Sequence, residues 1–159
     1  MQTETVIVNN EKLVEVLNDL IQINNDRVEG YEKAVKETKD IDVDLKAVFL
    51  KMADESRGYN AELSQKVQQL GGLPTEATTG LGEIYRVWMD IKATFTGHDR
   101  KSALESCEFG EDAAQKAYRD ALASDTEIDA DTRQLITEQK ASLKTSHDLI
   151  KSYRDAHAD

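Results

Sequence analysis

The residues of this chain that could do chemistry are carboxylates and histidines set at helical spacing. The separation between Glu29 and Glu62 equals that between Glu111 and Lys144, and His147 follows Lys144 by three residues. Two helical hairpins with this spacing would place their partners at matching levels inside a bundle. Carboxylates that bridge two divalent cations, completed by imidazoles, form the di-metal centres of helical bundles.

Helical phase and residue type argue against a complete centre of this kind. Such a centre needs a Glu from each of two helices and a Glu-x-x-His pair from each of the other two. The chain contains no Glu-x-x-His pair, and Lys144 and Gln65 stand where a Glu and a His would be needed. At about 100° per residue, Glu29 points away from the core face that carries Leu20. The sequence therefore predicts no cofactor. If a metal does bind, iron or manganese is expected, with the candidate ligands Glu62, Glu111 and His147.

Phase instead predicts a buried polar layer that satisfies its own hydrogen bonds. Arg27 lies on the core face of its helix, and a buried guanidinium needs a carboxylate partner because its hydration is lost. Glu55 is the first choice of partner, with Glu62 or Glu111 next. Such a network would fix the register of the helices. The predicted layer consists of Asn24, Arg27, Glu55, Ser56, Tyr59, Glu111 and His147.

The remaining reactive residue types do not form a catalytic pattern. Cys107 is the only cysteine, which excludes an internal disulfide, and its position on an apolar stripe predicts a core residue. We expect His147 to bond Glu111 or Glu108. The sequence contains no Ser-His-Asp or His-Glu-x-x-His pattern, so no catalytic residue is predicted and a non-enzymatic protein is favoured.

Apolar residues that recur at steps of three and four predict the elements that position these side chains. Two short turns and one long crossover join four long helices into an all-α four-helix bundle of two antiparallel hairpins. All 159 residues form one domain. The predicted segments are an extended arm over 1–9, helices near 10–39, 43–70, 99–122 and 130–154, and a crossover over 72–98 with a shorter helix near 80–95.

Charge and composition exclude several classes of partner. The formal net charge is −11, which disfavours nucleic acid and anionic membrane surfaces. The chain has no long apolar run, and its first residues lack the pattern of a signal peptide, so a cytoplasmic protein is expected. Tyr85, Trp88 and Phe95 make the crossover the most aromatic segment. They are expected either to cover the open side of the bundle or to form a contact in a homo-oligomer.

Several short strings, spread over residues 10 to 156, resemble a family of uncharacterised bacterial ferritin-like proteins. They include Leu17-Asn18-Asp19-Leu20, Leu70-Gly71-Gly72 and His147-Asp148. The resemblance implies a ferritin-like bundle, in a superfamily where some members carry a carboxylate-bridged di-iron or di-manganese centre, and suggests a role in stress. The expected function is binding or assembly by a bundle with a degenerate metal site. The alternative is a redox or iron-handling protein that binds iron or manganese.

Overall fold

Five α-helices make up most of the part of the chain that the structure describes. This computed structural model describes residues 2–38, 42–80, 82–91 and 97–156, with side chains described from residue 10 onward except at 97–100. These ranges contain no β-strand. The predicted all-α bundle of four long helices and one short crossover helix is therefore confirmed. The helices are α1 (Gln2–Glu37), α2 (Val43–Gln69), α3 (Glu83–Met89), α4 (Gly97–Ala123) and α5 (Ala130–Ala156).

The first helix begins earlier than predicted. Helix α1 starts at Gln2, so the extended arm predicted for residues 1–9 is wrong over 2–9. The β-branched run Thr5-Val6-Ile7-Val8 suggested an extended conformation, but β-branching costs a helix only about 0.7 kcal/mol per residue or less. No glycine or proline separates this run from the amphipathic part of α1. Once a helix has formed, each added residue gains a hydrogen bond, so the helix continues through the run.

The second helix ends as its glycines predict. Gly71 has a φ of +85°, in the left-handed region that glycine adopts without steric cost. The N–H of Gly71 donates to the carbonyl of Gln68, and the N–H of Gly72 donates to the carbonyl of Val67. This pair of bonds is a Schellman motif, which satisfies carbonyls that the helix end would otherwise leave free.

The crossover is attached along α1 before it forms α3. The side chain of Asn18 donates to the carbonyl of Leu73 at 3.2 Å and accepts from the N–H of Thr75 at 3.0 Å. Helix α3 then packs against α1 and α4, while α1 pairs with α2 and α4 pairs with α5. The short helix is smaller than the predicted 80–95, and residues 81 and 92–96 of that prediction lie outside the described residues.

The hydrophobic core is divided into two clusters along the bundle. One contains Leu17, Leu63 and Tyr118, and the other contains Phe49 and Trp88. Along α1, buried apolar residues stop at Ile21 and resume at Tyr31, and Asn24 and Arg27 are buried between them. The gap is filled at the same level by buried polar residues of the other long helices, namely Ser56, Glu111 and Ser146.

Candidate functional site

The centre of the polar layer is the guanidinium of Arg27. Its side chain is 1% exposed, and its Nε donates to Oε1 of Glu111 at 2.6 Å. Its Nη1 donates to Oγ of Ser56 at 2.9 Å and to the carbonyl of Met52 at 3.1 Å. A longer contact of 3.4 Å joins Nη2 to Oε1 of Glu55. Arg27 thus bonds Glu55, the predicted first choice, and also Glu111, a predicted alternative, which is the closer of the two.

Glu111 is fully buried and uses only one of its two oxygens. Besides the bond from Arg27, Oε1 accepts a bond from the hydroxyl of Tyr31 at 2.9 Å. Oε2 has no hydrogen-bond partner among the described residues. Burial and the nearby Glu111 raise the pKa of Tyr31 well above its ordinary value, so the phenol stays protonated and acts as a donor. The same two causes raise the pKa of the Cys107 thiol, which makes it a core residue rather than a nucleophile.

A chain of hydrogen bonds runs from Arg27 into the second half of the core. Ser56, which accepts from Arg27, donates to Oδ1 of Asn24 at 2.9 Å. Nδ2 of Asn24 donates to the hydroxyl of Tyr118 at 2.8 Å, and that hydroxyl donates to Oε1 of Gln139 at 2.6 Å. Each hydroxyl and amide both accepts and donates, so the chain has one consistent direction. The sequence predicted Asn24 and Ser56 as members of one polar layer but did not connect them to Tyr118.

The chain ends at carboxylates near the surface. Nε2 of Gln139 donates to Oε1 of Glu62 at 3.2 Å, although Glu62 itself is exposed. On the other side of Arg27, Oγ of Ser146 donates to Oε1 of Glu55 at 2.6 Å. Tyr59, a predicted member of the layer, is hydrogen-bonded to Ser142. Apart from Tyr59, the predicted residues of α1, α2 and α4 are thus brought together by side-chain hydrogen bonds.

His147 is the predicted member that lies elsewhere. It is 18% exposed at the α4–α5 edge, where its Nε2 lies 2.7 Å from Oδ1 of Asp112 and its Nδ1 lies 3.1 Å from Oδ1 of Asp148. The expected bond to Glu111 or Glu108 is replaced by these two contacts. Helical phase predicted His147 on the inner face with Glu111, but its ring nitrogens contact Asp112 and Asp148, while Glu111 bonds Arg27 and Tyr31.

The predicted metal ligands Glu62, Glu111 and His147 do not form one group, because each bonds different partners. Among the described residues, the group with metal-ligand spacing is Glu108, Asp112 and His147. One potential ligand atom from each lies within 4.8 Å of the others. Sequence reasoning missed Asp112, although its position one helical turn after Glu108 was a usable signal. We call these three residues the edge cluster.

Trp88 is a core residue rather than an exposed interface anchor. It is 1% exposed, and its ring lies 4.8 Å from that of Tyr31, centroid to centroid. A Cβ atom added to Gly30 or to Gly110 would lie 2.2 Å from the Trp88 ring. The indole therefore fills a space that these two glycines leave between α1 and α4. A homo-oligomer contact through the Trp88 side chain is excluded by this burial, Tyr85 is half-buried, and Phe95 lies outside the described residues.

Asp26 is a buried carboxylate that sequence reasoning missed. It accepts bonds from the N–H of Thr79 at 2.9 Å and from the hydroxyl of Thr79 at 2.5 Å. Burial raises the pKa of Asp26, although both bonds act in the opposite direction. The contact attaches the crossover to α1. The signal in the sequence was the Thr78-Thr79-Gly80 turn. The N–H and the hydroxyl of Thr79 in this turn are donors, and Asp26 of α1 accepts from both.

The fold of the chain is that of a ferritin-like helical bundle. The structure matches a ferritin-like, diiron-carboxylate protein from Bacillus anthracis str. Ames over 95% of this chain and 98% of that one, with a TM-score of 0.69. The two sequences are 16% identical, so this likeness shows the fold alone. The model of a domain of unknown function, DUF2383, matches residues 12–124, and the chain therefore belongs to this family. No curated protein matches the chain.

The buried residues do not fit the two-metal centre that this fold class can hold. Such a centre requires four carboxylates and two histidines directed inward. Here Glu111 and Glu55 are the acidic side chains around the centre, and Arg27 bonds both of them. A permanently charged guanidinium repels divalent cations and offers no lone pair to them. Within the described residues, the interior of the bundle is therefore arranged for an ion pair and not for two metals.

Proposed function

We propose that this protein is a non-enzymatic ferritin-like bundle that acts by binding or assembly and has a degenerate metal site. The observation that carries the proposal is the contact between Arg27 and Glu111 at the centre of the bundle. The guanidinium supplies the positive charge that metal ions would otherwise bring to the inward carboxylates. Around it, hydroxyls and amides are already bonded to one another, which suits a structural layer better than a reacting centre.

The biological setting of the proposal comes from the sequence. We propose a cytoplasmic protein that forms a homo-oligomer, and the resemblance to ferritin-like relatives supports a role in stress. None of the helices, over the described residues, is long and apolar enough to cross a membrane. The net charge of −11 supports the exclusion of nucleic acid and anionic lipid as partners.

The second candidate function is the binding of iron or manganese. It is favoured by the edge cluster, which combines two carboxylates with an imidazole. The similar structure from Bacillus anthracis is described as a diiron-carboxylate protein, which supports the same candidate at the level of the fold class. In this chain such binding would take place outside the polar layer, at one ion rather than two.

Metal analysis separates the two candidates. The full chain is purified without chelator, and iron and manganese are measured per chain by elemental analysis, before and after exchange into metal-free buffer. We expect no tightly held pair of ions, and a single equivalent of iron or manganese that survives the exchange would favour the second candidate. Two equivalents of iron or manganese per chain that survive the exchange would overturn the non-enzymatic proposal, because a pair of ions requires a centre that the Arg27 arrangement does not provide.

A further inference from the structure

The edge cluster is built from two neighbouring helices and lies apart from the polar layer. Glu108 and Asp112 are one turn apart on α4, so both carboxylates project from the same face of that helix. His147 reaches this face from α5, and its Nε2 lies 2.7 Å from Oδ1 of Asp112. Glu111, on the same helix, points into the core and bonds Arg27 instead.

The spacing of the cluster suits one ion. Bonds of about 2.0–2.2 Å from a divalent metal place neighbouring ligand atoms about 3 Å apart and opposite ones about 4.3 Å apart. The ligand atoms of Glu108, Asp112 and His147 already lie within 4.8 Å of one another. Small side-chain rotations are therefore enough to close the three ligands around a cation. The side chain of Asp112 is 63% exposed, which leaves an open path for a hydrated ion.

The second nitrogen of His147 is held in the way that metal-binding histidines usually are. Nδ1 lies 3.1 Å from Oδ1 of Asp148, a carboxylate outside the cluster. When a metal replaces any proton on Nε2, a bond from Nδ1–H to this carboxylate would fix the tautomer with its lone pair on Nε2 and make that nitrogen a better ligand. Asp148 is thus a positioning residue, while Nε2 faces the two carboxylates of α4.

Arg154 is the cation that a metal must displace from Glu108. Its Nη1 is bonded to Oε2 of Glu108, and Glu108 is only 15% exposed. Arg154 also contacts Oδ1 of the neighbouring Asp155, through Nη2 at 2.9 Å and Nε at 3.2 Å. If Glu108 exchanges Arg154 for a metal, the guanidinium therefore keeps a carboxylate partner. Neither charge is left without compensation by the exchange.

We propose that Glu108, Asp112 and His147 bind a single divalent first-row transition metal at the α4–α5 edge. An imidazole nitrogen among carboxylate oxygens favours Mn²⁺, Fe²⁺, Co²⁺ or Zn²⁺ over Ca²⁺ and Mg²⁺, which prefer oxygen alone. Three protein ligands leave further coordination positions for water. The site rests on the second candidate function, the binding of iron or manganese. It is independent of the polar layer, so its failure would leave the first proposal standing.

The test is a titration of the full chain with MnCl₂ and with CoCl₂. Binding of both metals is measured by calorimetry, and binding of Co²⁺ is also measured by its visible absorption. We expect one ion per chain. His147→Gln and Asp112→Asn should each weaken binding by at least about tenfold, and Asp148→Asn should weaken it about 10- to 100-fold through the orientation of His147. Asp120→Asn is the matched control for Asp112→Asn, because Asp120 is 60% exposed on the same helix and pairs with Lys116.

Arg154→Gln tests the competition directly. Freed from its ion pair, Glu108 should bind metal about two- to fivefold more tightly, which is the range expected for a surface ion pair. Arg57→Gln, at another ion-paired surface arginine, should leave the affinity unchanged. Far-ultraviolet circular dichroism confirms that each variant is folded.

Three outcomes would overturn this site. They are the absence of binding to the wild-type chain at millimolar metal, equal effects of Asp112→Asn and Asp120→Asn, and unchanged binding in His147→Gln. Two ions that remain bound in His147→Gln would instead point to the interior, and would contradict both this site and the function proposed for the polar layer.

Discussion

Arg27 shows how a single buried charge can organise the interior of a helical bundle. Its guanidinium loses all contact with water, and burial by itself would lower its pKa. The carboxylate of Glu111, with a smaller contribution from Glu55, outweighs that effect, and the pKa of Arg27 ends above its ordinary value. The charge is therefore permanent, and the helices that supply its acceptors are held in one register.

Replacing Arg27 with Met should destabilise the protein by about 3–5 kcal/mol, because it leaves the fully buried Glu111 without a positive partner. The free energy of unfolding is measured by urea denaturation. Adding Glu111→Gln to this variant should recover a large part of the loss, because no buried charge then remains. Arg57→Met is the control, since Arg57 is 47% exposed and surface substitutions usually cost within about 0.5 kcal/mol. Equal stability of the two single variants would contradict the pairing.

Helical phase predicted the inward direction of these residues better than their partners. Arg27, Asn24 and Ser56 are buried, as the period of their helices requires. Glu111 lies closer to Arg27 than Glu55 does. This difference depends on side-chain conformation and on the distance between the two hairpins, and a periodic sequence pattern predicts neither. The prediction that His147 bonds Glu111 or Glu108 failed for a related reason, because helical phase gives the face of a helix but not which carboxylate the imidazole contacts.

Among the contacts between helices, the one made by Trp88 sets the distance between α1 and α4. A glycine inside a helix costs about 0.5–1 kcal/mol relative to alanine, so Gly30 and Gly110 need a structural reason. The indole provides it, since a Cβ at either position would overlap the ring. The unusual placement of these glycines in helical segments was a sequence signal for close approach, but the sequence alone did not identify which side chain approaches.

Gly30→Ala should therefore lower the free energy of unfolding by about 1–3 kcal/mol, the usual cost of overpacking a core. Gly58 is the matched control, because it lies in the exposed interior of α2 and an added Cβ would meet nothing within 4 Å. Gly58→Ala should raise stability by about 0.5–1 kcal/mol through helix propensity alone. Thermal and urea unfolding of the two variants give the comparison. A stabilising effect of Gly30→Ala would show that Trp88 does not fill this space.

The cap at the start of α5 makes a pH-dependent contribution to the stability of the protein. Asp129 precedes the helix, and its side chain accepts bonds from the N–H of Thr132 at 3.1 Å and from its hydroxyl at 2.7 Å. These bonds lower the pKa of Asp129 below its ordinary value of 3.8. Because the folded-state pKa is lowered, the stabilising effect is complete above the ordinary value and is lost as pH falls through the folded-state pKa.

Asp129→Ala should cost about 0.5–2 kcal/mol at neutral pH, the usual value of a helix cap. The difference between wild type and variant should shrink when urea unfolding is repeated well below pH 3.8, where the wild-type carboxylate also becomes protonated. Asp125→Ala, at an exposed position of the same loop, controls for the loss of a surface charge. A difference that stays constant over this pH range would rule out the carboxylate as the cap.

At the scale of the whole molecule, the two-hairpin topology was readable because several signals agreed. Long amphipathic stretches contain no proline and few glycines, and the breakers at Gly71, Gly72 and Pro74 fall together before the crossover. The length of that crossover required a diagonal connection between hairpins. The sequence did not predict that the crossover is also attached to α1. There the N–H groups of Thr75 and Thr79 donate to side chains of α1.

Because the net charge is −11, the free energy of unfolding should rise with salt concentration. Surface ion pairs such as Lys116–Asp120 exist, but acidic groups outnumber basic ones, so repulsion among exposed carboxylates dominates the surface. Salt shortens the range of this repulsion, from about 30 Å at 0.01 M to about 3 Å at 1 M ionic strength. Raising NaCl from about 0.01 M to about 0.5 M should therefore increase the free energy of unfolding by about 1 kcal/mol.

The same titration distinguishes the surface from the interior. Salt does not reach the buried contact between Arg27 and Glu111, so the destabilisation caused by Arg27→Met should stay the same across the NaCl series. Urea unfolding of both proteins at each salt concentration gives the two curves, which should rise in parallel. A wild-type stability that falls with NaCl would show that favourable surface pairs outweigh the repulsion. Curves that converge at high salt would show that the Arg27 pair is accessible to solvent, contrary to its burial.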